Sequence, residues 1–72
     1  MGEKDDKVFK KLELIGTSSV SLEDAITKAV ASASQNDQQG RWFEVTEIRG
    51  AIEGNKVAQW QVSMKIGCVF EE

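Results

Sequence analysis

The 72-residue chain has no histidine, no proline and a single cysteine, Cys68. Without a second thiol there is no intramolecular disulfide, and without imidazole a structural zinc site has too few ligands. The same lack removes the side chain best suited to acid–base work at neutral pH. No run approaches the roughly 20 apolar residues of a membrane span. The N-terminal "MGEKDD" lacks the apolar centre of a signal peptide, and Asp6 stands where a myristoylation signal wants serine or threonine. These features point to a cytoplasmic protein with no membrane partner. A formal charge of −3 argues against nucleic acid, whose binding calls for a basic face.

At this length a single domain over residues 1–72 is expected, near the size at which one core only just suffices. With disulfide and metal removed, self-association is the remaining source of extra stability. Residues 1–6 are charged and expected to fray. "KVFKKLELIG" (7–16) reads as a strand ended by Gly16, with Leu12 and Leu14 on one face. In "SLEDAITKAVASAS" the residues Leu22, Ala25, Ile26, Ala29, Val30 and Ala33 form one helical apolar stripe, poor in bulk and suited to close approach. Ser21 is a natural N-cap, Glu23 and Asp24 complement the helix start, and Val20 is placed to staple onto Ala25. A polar loop (35–40) precedes strands at 41–50 and 56–72, separated by the turn signal "EGNK".

The last strand has the sharpest pattern, with Ala58, Trp60, Val62, Met64, Ile66, Cys68 and Phe70 alternating with a mostly polar row. The helix returns the chain, so the first two strands run one way and the third opposes both. The expected fold is α+β: a β-α-β-β unit whose three-stranded antiparallel sheet, order 1-3-2, curls around one helix. A strand of about 14 residues spans roughly 46 Å against about 21 Å for the helix. Part of the apolar row therefore needs cover from strong curling or from another subunit.

Adjacent Trp42 and Phe43 point to opposite faces of their strand. With Phe43 and Val45 in the core, Trp42, Glu44, Thr46 and Ile48 fall on the outer face, beside Gln59, Gln61, Ser63 and Lys65 of the third strand. Trp42 on that face is either packed in a subunit interface or a stacking platform for a planar ligand, unless the strand register differs. The Gln61 amide presents a donor and an acceptor side by side, able to pair with the edge of a uracil-like ring. Catalytic signals are weak. Cys68 lies in the apolar row, Glu44 and Glu47 alternate to opposite faces, and "GTSS" before the helix reads as an ordinary cap.

The segments "VFKKLELIGTS", "SLEDAITKAV", "WFEVTEIRG" and "KVAQWQVSMKIG", in this order and spacing, closely resemble the dodecins over about residues 7–70. The resemblance implies a hollow homododecamer that stores and photoprotects a flavin, FMN or riboflavin, rather than an enzyme. It implies that isoalloxazine rings stack between Trp42 side chains of neighbouring subunits, that Gln61 grips the pyrimidine edge, and that Arg49 lies near the flavin. Coenzyme A is a second ligand in some relatives. Two departures stand out: Arg41 replaces an aspartate frequent before the tryptophan, and "GCVFE" puts Val69 where relatives carry arginine. Arg41 is the candidate substitute as a phosphate partner. A structural or partner-binding homo-oligomer without flavin is the alternative function, and a flavin-dependent oxidoreductase a more distant one.

Overall fold

The computed structural model describes residues 6–34 and 40–71. β1 (Val8–Ser18), α1 (Leu22–Ser34), β2 (Gly40–Glu53) and β3 (Lys56–Glu71) follow in that order. The sheet runs β1-β3-β2, and both pairings are antiparallel. The expected topology is the observed one. Residues 1–5 and most of the expected polar loop, 35–39, lie outside the described residues.

The core is a thin sandwich. Ala25, Ala29 and Ala33 of α1 lie buried against Val62, Met64, Ile66 and Cys68 of β3, with Leu12, Leu14, Leu22 and Ile26 packed around them. Alanines let the helix sit close, and Gly16 marks how close. A Cβ at that position would collide with the carbonyl oxygen of Ala25. Gly16 thus does not end its strand, as its chemistry suggested; it pairs with Val62, and β1 continues to Ser18. Here glycine serves close approach rather than a break.

Ser18 explains the join to the helix. Its buried hydroxyl accepts from the Val20 amide at 2.9 Å and donates to Asp24 Oδ2 at 2.7 Å. Ser21 Oγ accepts from the Asp24 amide at 2.9 Å, the expected N-cap. Val20 is 74% exposed and forms no staple. The Ser18 bond, followed by Lys28 one turn on, holds the Asp24 carboxyl below its ordinary pKa against a smaller opposing desolvation.

β2 is longer than expected because Ala51–Glu53 stay paired down to a two-residue turn. Gly54 and Asn55 both have positive φ, 56° and 63°, the left-handed pair that matches strand twist in a tight hairpin. The β2–β3 ladder is interrupted at three places, between Gly40 and Trp42, Val45 and Glu47, and Ala51 and Ile52. Each bulge bends the sheet and shifts which residues share a face.

The middle bulge corrects the face assignment. Thr46 is its extra residue, so Glu44 pairs with Lys65 while Glu47 pairs with Ser63. Residues directly opposite each other point the same way. Ile48, opposite Val62, therefore returns to the helix side, and Glu47 and Arg49 turn outward. Glu44 and Glu47 share a face after all.

α1 is 13 residues long and β3 is 16, about 20 Å against about 53 Å. The helix lies over β1 and β3 and least over β2. Phe43, Val45 and Ile48 consequently face the helix side but stay exposed within the chain.

Candidate functional site

Trp42 projects from the sheet face opposite α1, paired across the ladder with Gly67. Its six-membered ring lies on the Gly67 backbone, so closely that a Cβ there would collide with three indole atoms. Phe9 of β1 meets the indole edge-on, ring centroids 5.2 Å apart at 67°. Trp42 is 40% exposed, and with one face of the ring on the backbone the other face is the one turned to solvent.

Glu44, next outward on β2, is held by Lys11 Nζ at 2.6 Å across the intervening strand. That bond lowers the Glu44 pKa most; partial desolvation opposes it, and the charges of Lys11 and Lys65 and a bond from the Trp42 side chain assist. The indole is thus bounded below by Gly67, at its edge by Phe9 and near its N–H by Glu44.

Gln61 lies on the same outward row of β3, paired with Thr17 on one side and Arg49 on the other. Arg49 Nε donates to Gln61 Oε1 at 3.1 Å, and Gln61 Nε2 donates to Gln59 Oε1 at 2.9 Å. Arginine has no acceptor, so the amide oxygen must face Arg49. One N–H and one oxygen lone pair of Gln61 remain for a ligand.

The two halves of the expected site are separated. Gly67, beneath Trp42, is six positions along β3 from Gln61, about 20 Å for an extended chain. Gln61 is beside Arg49 rather than beside the indole of its own chain. Arg41 is the extra residue of the first bulge, exposed at the free edge of β2. With Val30, Gly40, Trp42, Phe43 and Ile66 it lines a groove of about 160 Å³. Val69 pairs with Phe9 and brings no charge to this face.

Phe9, Lys11 and Gly67 were not singled out by sequence reasoning, and Gln59 was placed on this face without a role. Gly67 carried a signal, since glycine within a long strand marks a close approach. Phe9 and Lys11 depend on cross-strand register, which no local pattern supplies. Cys68 is buried in the core, and among the described residues no group of three or more acidic, cysteine or histidine side chains is placed to hold a metal ion. No described helix is long and apolar enough to cross a membrane.

The fold and this face define a class: small β-α-β-β proteins whose sheet carries its helix on one side and an aromatic-bearing polar surface on the other. The family model for dodecin matches residues 8–71. The dodecin of Thermus thermophilus is 47% identical over 66 residues, covering 92% of this chain and 96% of that protein. A solved dodecin from Streptomyces coelicolor superposes with a TM-score of 0.85 at 42% identity, covering 93% of this chain and 96% of that one. A Streptomyces davaonensis dodecin gives 0.83 at 34% identity, covering 93% and 98%. The chain belongs to the dodecin family.

Proposed function

We propose that this chain binds a flavin, FMN or riboflavin, and stores and photoprotects it within a hollow homododecamer. The observation that carries the reading is the indole of Trp42, fixed on Gly67 with its other face open. A planar ring stacked there gains about 1–3 kcal/mol from the aromatic contact. Gln61, with one donor and one acceptor spare and its orientation set by Arg49, fits the pyrimidine edge of such a ring. The residues present suit the ligand.

The roughly 20 Å between the two contacts exceeds what one isoalloxazine ring spans. Stacking and edge pairing on a single ring therefore draw on different copies of the chain, which makes assembly part of the binding site. Exposed Phe43, Val45 and Ile48 give the chain an apolar row for such copies to cover. A bound flavin would supply the light-absorbing ring, and the electron-rich Trp42 indole stacked on it would be the group that quenches its excited state. Trp42 excludes water from one ring face, Gln61 orients the edge, and Arg41, free at its bulge, is the cation suited to a ribityl phosphate in place of the charge missing at Val69. The chemistry asked of the residues is holding, not turnover, in keeping with a cytoplasmic flavin reserve.

Titration of purified protein with FMN and with riboflavin, read by flavin fluorescence, tests the proposal. Strong quenching at defined stoichiometry is expected. Native mass spectrometry then reports subunit number and ligand mass, coenzyme A included. A protein that leaves both flavins fully fluorescent would instead be a structural or partner-binding oligomer.

A further inference from the structure

Gly67 and Phe9 belong to no ligand contact proposed above, yet both touch Trp42 directly. An exposed tryptophan on a strand ordinarily samples several rotamers, and binding must then pay the entropy of choosing one. Here the choice is made beforehand. The missing side chain at Gly67 leaves a flat strip of backbone on which the indole rests. Phe9, at 67° to the ring plane, stands as a wall rather than extending the floor. Glu44, itself anchored by Lys11, is the third boundary.

We infer that Gly67 and Phe9 are positioning residues that hold the Trp42 indole flat on its own sheet before ligand arrives, leaving a single face for stacking. This rests on the flavin-binding reading but makes a claim about the ligand-free protein as well. A consequence is that each chain offers one stacking surface, never two. A ring enclosed on both sides needs indoles from two copies.

Gly67→Ala separates this role from a structural one. Gly67 does not have a positive φ, so its backbone accepts a side chain, and the nearest atoms to the new methyl all belong to the outward-facing indole. The variant is expected to fold and assemble while its indole lifts off the strand. In a Trp60→Phe background, where Trp42 is the sole tryptophan, Gly67→Ala should raise acrylamide quenching of ligand-free emission at least twofold. Flavin affinity should fall tenfold or more. Adding Gly67→Ala to Trp42→Ala should leave residual flavin affinity unchanged, because the indole that the methyl displaces is gone. Unchanged acrylamide access, or an equal loss of flavin affinity with and without Trp42, overturns the proposal. Should Gly67→Ala fail to assemble, Phe9→Leu decides: affinity should drop between about two- and tenfold, the worth of an aromatic pair, and no drop overturns it. Wild-type protein that binds no flavin but shows the acrylamide effect of Gly67→Ala defeats the functional reading and upholds the positioning.

Discussion

Arg49 and Gln61 face each other across the β2–β3 ladder, and the guanidinium Nε donates to the amide oxygen at 3.1 Å. That bond exists because of a bulge. Without the extra residue Thr46, Arg49 would project on the helix side and Gln61 would keep Gln59 on its amide nitrogen but lose the donor to its amide oxygen.

Replacing Gln61 with alanine should weaken flavin binding about tenfold or more, the cost of stranding one side of a buried hydrogen-bonded pair. Arg49→Met should weaken it less, since the amide stays but loses its orientation. Fluorescence titration of both variants ranks the effects. Equal affinity to wild type in Gln61→Ala would remove that residue from the site.

Trp42→Ala should abolish flavin quenching while leaving the assembly intact. The indole contributes nothing to the buried core, which lies on the other side of the sheet. Native mass spectrometry alongside steady-state and time-resolved flavin emission checks both halves of the statement.

Met64→Asp should prevent folding. Met64 is fully buried at the centre of the β3 row, where an unpaired carboxylate loses several kcal/mol of solvation with nothing to replace it. Circular dichroism and size-exclusion chromatography of the variant should show loss of the native oligomer.

Acid should destabilise the protein through two carboxylates. Asp24, bonded first to Ser18, and Glu44, bonded first to Lys11, both have folded pKa values below their ordinary ones. A depressed pKa means stability fully present above the unfolded value and lost as pH falls through the folded one. Melting temperatures should therefore decline below about pH 4, near ordinary carboxylate values. Glu44→Gln should flatten part of that decline. Added salt should shrink its share, because the Lys11 pair is half exposed.

Most of the architecture was legible because two periodicities are unambiguous. The even-numbered row of β3 and the alanine stripe of α1 together dictate a helix on one face of a sheet, and chain direction then fixes strand order. Trp42 and Gln61 fell on the predicted side because both precede or avoid the middle bulge. Ile48, Glu47 and Arg49 follow it, so simple alternation misplaced Ile48 and Glu47. Arg49 was reached only through family likeness. A bulge is one residue of slack whose position depends on partner-strand geometry, and nothing local to "EVTEIRG" announces it. Gly16 misled for a related reason: the same residue type serves as a stop and as a point of contact, and only the helix position distinguishes them.

The helix that stops short of β2 has a thermodynamic corollary. The row of Phe43, Val45 and Ile48 is open to water inside one chain, so its apolar surface adds little to the stability of a lone molecule. Once copies cover that row, stability becomes a function of protein concentration by mass action. Under the proposed assembly dilution would act as a denaturant, with loss of neighbours and loss of fold as linked steps of one equilibrium.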